Sequence, residues 1–210
     1  AYKNIKNIEI LLIEWIDMHN FDQKKLGKGL GEMHLKSAES NPKMFGFPVE
    51  GFIGTTDQKK GWKDNWIDCF LNLRIIPQLL ILESTILDKE IINKVQDKIK
   101  SELLNHKPIN ALVHGDLWSG NVGTVENGKG VIFDPASWWA DNEVDIAMTK
   151  LFGGFRKEFY EEYHKIFPIK NGFEKRIIIY NFYHILNHAN MFGGGYLKQV
   201  KDYVKAILKM

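Results

Sequence analysis

The sequence predicts an α+β protein that is mainly helical. Apolar residues recur at helical spacing through most of its 210 residues, whereas β signals cluster in one central stretch. A second β signal is the apolar run IEILLIEWI at residues 8–16, whose shortness and isoleucine content are typical of a buried strand. Because no linker or repeat divides the chain and its length allows one substantial core, we expect a single domain.

Charge and cysteine content exclude several classes of partner. The net charge is +2 and the lysines are scattered, so we expect no nucleic-acid partner. No run approaches the roughly 18 apolar residues of a membrane span, and the first residues, AYKNIKNIE, lack a signal-peptide pattern, so no membrane association is expected. The single cysteine, Cys69, lies in an apolar helical pattern, which excludes a disulfide framework and is consistent with a cytoplasmic protein.

Helices are predicted on both sides of the central β stretch. One should begin at Asp22, and another should carry the apolar stripe Trp62, Trp66, Phe70 and Leu73 until Pro77 kinks or ends it. Residues 44–58, between them, should form turns. The remaining helices are expected over 91–103, 144–151, 156–167, 173–192 and 196–210, with helices only after the β stretch.

The β stretch holds a polar loop between strands. The runs ALV (111–113), NVGTV (121–125) and GVIFD (130–134) are apolar, and Asn127-Gly128 between the last two predicts a hairpin turn. The loop HGDLWSGN, residues 114–121, therefore connects a strand to a hairpin. His114 should brace this loop through hydrogen bonds, and Gly115 should let the backbone pass where a side chain would clash.

Three polar residues around the hairpin suit phosphoryl transfer. Asp116 and Asn121 stand at the two ends of the loop, and Asp134 follows the second hairpin strand, so their side chains can face one cavity. Oxygen ligands of this kind suit Mg²⁺. Kinases use the same order of catalytic aspartate, metal-binding asparagine and later metal-binding aspartate. Turn capping explains each residue singly, but the ordered set predicts a phosphotransferase.

Longer segments carry a family resemblance. HGDLWSGN is followed by VIFDPASWWADNEVDIAMTKLFGGF and YHILNHANMFGGGY, and GFIGTTDQ and residues 62–74 extend the match over most of the chain. The chain resembles the fructosamine-3-kinase (ketosamine kinase) family, whose relatives include the aminoglycoside and choline phosphotransferases. The HGD loop marks only that superfamily, whereas Trp118, the DPA phrase, DNEVDIAM and LFGGF point to ketosamine kinases.

The resemblance implies a protein-kinase-like fold and ATP-dependent phosphorylation of the 3-hydroxyl of a ketosamine, a sugar rearranged onto an amine such as a protein lysine. It implies ATP and Mg²⁺ as cofactors, Asp116 as the catalytic aspartate, and Asn121 and Asp134 as metal ligands. The unstable product falls away, so the reaction repairs glycation. Trp118 can pack on the sugar, although core packing is the alternative.

Two further groups of residues have alternative interpretations. Asn187 and His188, with Asn190, have near-helical spacing and can line the ketosamine pocket, or the histidine can be a satisfied core residue. The acidic run Asp141, Glu143 and Asp145 can cap a helix, or it can form ion pairs beneath the catalytic loop with Arg176 or Arg74.

The resemblance divides the chain at residue 18. Residues 1–18 would be the last strand of an amino-terminal lobe and the hinge, with Glu14, Trp15 and Ile16 beside the adenine. Residues 19–210 would be the kinase-like carboxyl-terminal lobe, with the catalytic loop at 114–134. A kinase needs a Gly-rich loop, a lysine on a strand and a glutamate on a helix, and none of these can be assigned in this sequence. We therefore expect about the first third of a family member to be missing. Catalysis by this chain alone should be weak.

Two other functions stay open. A small-molecule kinase of the aminoglycoside or choline type would share Asp116, Asn121 and Asp134, and a non-catalytic regulatory protein could consist of a carboxyl-terminal lobe alone. The sequence identifies neither the ketose, nor the amine that carries it, nor the oligomeric state.

Overall fold

The structure is a computed structural model that describes residues 2–5, 8–18, 22–83, 85–126 and 128–210. Helices dominate these residues, and the strands are short, as the α+β prediction requires. No helix in the described ranges is both long enough and apolar enough to cross a membrane.

The first elements, β1 (Tyr2–Ile5) and β2 (Ile8–Leu11), pair antiparallel. The prediction of a buried strand over residues 8–16 is wrong, because the strand ends at Leu11 and the apolar side chains are exposed, except for the half-buried Ile16. Leu11 is 71% and Ile13 is 73% exposed. An apolar run indicates that a strand can be covered, but its composition does not specify whether a second layer packs on it.

Helix α1 (Gln23–Glu39) begins where it was predicted to begin. The carboxylate of Asp22 accepts hydrogen bonds from the backbone N–H groups of Lys24 and Lys25, which caps the first turn. Leu26 and Leu30 are buried on the helix face that packs in the smaller of two apolar clusters.

Residues 45–63 form four strands of three residues each, where turns were predicted over most of the segment. They are β3 (Phe45–Phe47), β4 (Gly51–Ile53), β5 (Thr56–Gln58) and β6 (Gly61–Lys63). β3 pairs with β6, and β4 with β5 forms a separate hairpin. Trp62 lies on β6, so the predicted helical stripe begins only at Trp66. Strands this short do not show a period of two in the sequence.

A continuous helical run follows as α2 (Trp66–Phe70), a π-helical turn (Leu71–Ile75) and α3 (Ile76–Leu82). Pro77 does not end this run. The carbonyl of Leu73, four residues before the proline, accepts a hydrogen bond from Arg74 Nη1 at 2.8 Å. This bond gives the carbonyl a donor where proline has no N–H to offer.

Helix α4 (Lys89–Leu103) and strand β7 (Asn110–Val113) lead to the catalytic loop, and β8 (Val122–Thr124) and β9 (Gly130–Ile132) form the predicted hairpin. Asn127 of the predicted turn lies outside the described residues. Strand β10 (Trp138–Asp141) contradicts the prediction that only helices follow. It pairs with β7 and β3 at the centre of an antiparallel sheet of order β6-β3-β10-β7.

The chain ends in helices α5 (Glu143–Leu151), α6 (Lys157–Ile166), α7 (Phe173–Phe192) and α8 (Gly195–Leu208), close to the predicted bounds. α7 runs through the larger apolar cluster, where Ile179, Phe182 and Ile185 are fully buried. Its carboxyl-terminal turns line the same cavity as the loop of residues 114–121, which places a rigid element beside the site.

Candidate active site

The catalytic loop is held by a buried carboxylate on α5. The oxygens of Asp145 accept hydrogen bonds from the backbone N–H groups of His114 at 2.7 Å and Gly115 at 2.9 Å. Asp145 is fully buried and belongs to the first turn of the helix. The two residues before Asp116 are therefore positioned by α5 and not only by the loop itself.

A second chain of hydrogen bonds orients Asp145. His34 of α1 lies with Nε2 3.1 Å from Asp145 and Nδ1 2.9 Å from the Tyr163 hydroxyl, which accepts a hydrogen bond from Asn142 Nδ2 at 2.7 Å. Because an ionised carboxylate only accepts, Nε2 donates to Asp145. Burial acts to raise the pKa of Asp145, but the hydrogen bond and proximity of His34, with His114 and the Gly115 N–H, hold that pKa below its ordinary value.

His114 braces the loop, as predicted. Its Nε2 donates to the carbonyl of Phe133 at 2.8 Å, and its Nδ1 accepts from the backbone N–H of Asp116 at 3.3 Å. Gly115 has φ +84°, and a Cβ there would lie 2.1 Å from the carbonyl oxygen of Ala136. The close approach predicted for this glycine is confirmed, and it joins the loop to the segment that leads into β10.

Asp116 faces a cavity of about 440 Å³. No hydrogen bond engages its carboxylate within the described part of the chain. Burial raises the pKa of Asp116, His114 and His188 oppose that shift, and the charges of Asp134 and Asp145 reinforce it. A half-buried, unpaired carboxylate of raised basicity suits a group that accepts a proton from a hydroxyl.

Asn121 and Asp134 line the same cavity. Asn121 Nδ2 donates to the backbone carbonyls of Asp116 at 3.0 Å and Asp134 at 3.5 Å, so its amide oxygen stays available as an acceptor. Asp134 has φ +55° and an exposed carboxylate, to which the described residues offer no ion pair. Two unpaired carboxylates and an amide oxygen are hard donors, and this set fits Mg²⁺.

Trp118 lies on the rim of the cavity. Its side chain is 39% exposed, so the alternative of plain core packing is wrong. The indole covers Gly120, where a Cβ would lie 2.2 Å from the ring, and meets Phe152 edge to face with centroids 6.5 Å apart. Trp118 therefore presents part of its ring to the cavity.

Asn187 and His188 both line the cavity, but in different ways. Asn187 is almost fully buried and donates to the carbonyl of Ile53 at 3.3 Å, while its own oxygen accepts from Gln78 Nε2 at 3.3 Å. It thus tethers the β4–β5 hairpin to α7. His188 is half-buried and donates from Nδ1 to the carbonyl of His184, so the other ring edge is directed away from the helix backbone.

The hinge residues predicted to meet the adenine do not line this cavity. Glu14 and Trp15 are exposed and Ile16 is half-buried. The segment passes beside the hairpin that precedes Asp134, because a Cβ at Gly123 would lie 2.6 Å from Met18 Sδ.

The acidic run forms ion pairs, and Arg176 is one partner. Glu143 holds Arg176 through two bonds, Nη2···Oε1 of 2.9 Å and Nε···Oε2 of 2.5 Å. Arg74 is not a partner: its Nη1 donates to the carbonyls of Lys59 and Leu73, and its guanidinium lies 4.1 Å from the ring centroid of Trp138. Burial lowers the pKa of Arg74.

Asp141 completes the acidic run. It accepts hydrogen bonds from His106 Nε2 and from the Tyr180 hydroxyl, both at 2.6 Å. Although His106, Asp141 and Glu143 lie close enough to hold a cation, protein donors already engage both carboxylates. The cluster is therefore structural.

Several residues of the site were missed by sequence reasoning. His34 and Phe152 are separated from Asp116 by 82 and 36 positions, so no local pattern links them. Gly54, in the β4–β5 turn, also lines the cavity. The LFGGF phrase was the available signal for Phe152, since paired glycines mark a loop.

Comparison with known proteins extends these observations. The fructosamine kinase family model matches residues 2–210. The chain is 40% identical over 203 residues to a Synechocystis protein described as a probable ketoamine kinase, covering 95% of this chain and 68% of that protein. It is 34% identical over 213 residues to mouse ketosamine-3-kinase, covering 89% and 69%. A crystal structure described as a putative fructosamine-3-kinase from Haemophilus somnus superposes with a TM-score of 0.87 at 25% identity, covering 99% of this chain and 71% of that chain.

Proposed function

This chain belongs to the fructosamine kinase family, and from that premise we propose that it phosphorylates the 3-hydroxyl of ketosamines with ATP and Mg²⁺ as cofactors. The fold is the kinase-like α+β fold that the resemblance implied. The observation that carries the proposal is the set of Asp116, Asn121 and Asp134 around one cavity, with two carboxylates that the described residues leave unpaired.

Asp116 supplies the base. The ketosamine hydroxyl attacks the γ-phosphorus, the new O–P bond forms as the bond to the β-phosphate oxygen breaks, and ADP leaves. The hydroxyl proton passes to the Asp116 carboxylate, whose burial favours the protonated form. His114, Gly115 and Asp145 keep this carboxylate in place.

Asn121 and Asp134 would hold the metal. Mg²⁺, when bound there, neutralises charge on the phosphates of the nucleotide. The hydrogen bonds of Asn121 Nδ2 to two backbone carbonyls direct its oxygen toward that ligand position. Asp134, in its left-handed turn after β9, adds the carboxylate.

The remaining predicted residues bind the ketosamine or ATP, or support the cavity that receives them. We assign Trp118 and His188 to the ketosamine, since both are partly exposed in the cavity. Asn187 acts by holding the β4–β5 hairpin at the cavity edge. Residues 14–16 remain our proposal for the adenine contact, because their segment passes beside the hairpin.

The proposed role is deglycation of free or protein-bound amines, because a 3-phosphorylated ketosamine is unstable and releases its amine. We propose that it takes place in the reducing cytosol, where a free thiol such as Cys69 persists.

The test is ATP-dependent phosphate transfer by the purified protein to fructosyl-lysine and ribulosyl-lysine, with an aminoglycoside and choline as competing acceptors. We expect transfer to a ketosamine, with the phosphate located on O3 by phosphorus NMR. Preferential transfer to the aminoglycoside or choline would replace the proposal with a small-molecule kinase, and no transfer to any acceptor would favour a non-catalytic lobe.

A further inference from the structure

One side of the cavity is a connected series of aromatic rings. Trp118 meets Phe152 at 6.5 Å between centroids, Phe152 meets His188 at 5.1 Å, and His188 meets Tyr196 at 5.0 Å and Phe192 at 5.7 Å. All five side chains line the cavity that contains Asp116. We call this set the aromatic wall.

The aromatic wall is more exposed than core packing requires. Phe192 is 62% exposed at the end of α7, and Phe152 is 41% exposed in the loop after α5. Exposed aromatic rings grouped around a concave site indicate a ligand surface, because such a group leaves apolar area in water until it is covered.

The charged side chains around the cavity favour a ligand of positive charge. Its described lining contains the carboxylates of Asp116 and Asp134, no lysine or arginine, and His188 as its one basic side chain. The cation–π pairs found within the described residues join Arg74 to Trp138 and Lys150 to Tyr160, so neither uses a ring of the aromatic wall. Ring faces beside unpaired carboxylates attract a cation.

We propose that the aromatic wall binds the protonated amine nitrogen of the ketosamine by cation–π contacts, so that the site selects a charged nitrogen beside the ketose over a neutral substituent. This inference rests on the proposed function and adds the part of the substrate that confers specificity. In a ketosamine the amine is on C1 and the reacting hydroxyl on C3, so the two groups meet different residues of one cavity. An alkyl amine of this kind carries a positive charge at neutral pH, as lysine does.

The experiment compares two ligands that differ at one atom. One is a ketosamine with a short N-alkyl chain, and the other is the ether in which oxygen replaces that nitrogen and removes the charge. Both keep the 3-hydroxyl. Their dissociation constants are measured by calorimetry without nucleotide, and their kcat/KM values by coupled assay with ATP.

Each variant removes an aromatic ring, and with it the negative ring face, but keeps a large apolar side chain. Phe192→Leu and Tyr196→Leu remove a ring from the aromatic wall. Phe52→Leu is the matched control, because Phe52 is 65% exposed, close to the 62% of Phe192, but does not line this cavity. Since Phe192 and Phe52 are both exposed, neither of these two substitutions empties the core.

We expect the natural protein to bind the amine more tightly than the ether. Each substitution in the aromatic wall should weaken amine binding about 2- to 5-fold, the effect of one exposed cation–π contact, and leave ether binding unchanged. Phe52→Leu should change neither. Equal affinity for amine and ether, or equal weakening of both by the aromatic-wall variants, would overturn the inference.

The two proposals fail in different ways. If amine binding shows the expected preference but neither compound is phosphorylated, the aromatic wall is still a cation site and the proposed function is wrong. If both compounds are phosphorylated with equal kcat/KM and bound with equal affinity, the kinase stands and the aromatic wall does not read charge.

Discussion

The imidazole of His34 lies 3.1 Å from the carboxylate of Asp145, and water reaches neither side chain. Asp145 in turn accepts the backbone N–H groups of His114 and Gly115, directly before Asp116. A histidine on α1 thus orients the carboxylate on which the catalytic loop is built.

We predict that His34→Leu lowers both stability and turnover. The substitution leaves a buried carboxylate short of one donor, which costs about 1–3 kcal/mol or more for a charged group. His34→Gln should recover part of the loss, because its amide can donate to Asp145. Urea unfolding and steady-state kinetics with a ketosamine test this, and a leucine variant with native kcat and native midpoint would contradict it.

Asp116→Asn should lower kcat about 10² to 10⁴-fold, the usual effect of losing a general base. Folding and nucleotide affinity should change little, since the described residues form no hydrogen bond with this carboxylate. Asp64→Asn, at an exposed position outside the cavity, is the control. Near-native turnover by the Asp116 variant would remove this residue from the role of base.

Asp134→Ala should abolish activity and weaken nucleotide binding in a Mg²⁺-dependent way, because a Mg²⁺ held by Asp134 would neutralise charge on the nucleotide phosphates. Asp134→Asn separates this effect from backbone strain, since asparagine tolerates the left-handed φ of +55°. Nucleotide titrations at several Mg²⁺ concentrations make the comparison. A normal Mg²⁺ response in both variants would place the metal ligand elsewhere.

Two glycine substitutions should have opposite effects. Gly115→Ala puts a Cβ 2.1 Å from the Ala136 carbonyl oxygen in a residue with φ +84°. We expect this variant to lose about 1–3 kcal/mol of unfolding free energy and to be less active. Gly29→Ala, on an open face of α1, should stabilise by about 0.5–1 kcal/mol. Thermal unfolding of both variants is the measurement, and a stable, active Gly115→Ala would show that the loop can shift.

His184 should make the protein sensitive to acid. Burial lowers the pKa of His184 from 6.5 to about 3, and the neighbouring His188 acts in the same direction. Between these values the unfolded chain binds a proton that the native state excludes. Stability therefore falls as pH falls through this window, by at most about 1.4 kcal/mol per pH unit.

The His184→Leu variant isolates that contribution. Neither ring nitrogen has a hydrogen-bond partner among the described residues, so leucine removes no such bond. We expect the difference in unfolding free energy between the natural protein and this variant to shift in favour of the variant from pH 7.5 to pH 4.5. A difference that is constant with pH would show that His184 does not titrate in this window.

Local sequence patterns were sufficient to predict the helices with long apolar stripes and the order of the polar residues in the loop. Asp22 capped its helix where expected, and the helix at residues 173–192 was bounded correctly, because both signals are local in the chain. The HGDLWSGN phrase with the later Asp134 was sufficient to indicate phosphoryl transfer, since the spacing of these residues is itself the signal.

Packing between distant segments determines which strands pair and which residues support the loop. Strand β10 is four residues long and gains its stability from pairing with β7 and β3, so its own sequence carries little of the information. In the same way, a run such as residues 8–16 is buried only where another layer covers it, and most of its apolar side chains are exposed in the structure. His34, Asp145 and the rings of the aromatic wall meet only because the helices pack, and contacts between residues far apart in the chain leave no local pattern to read.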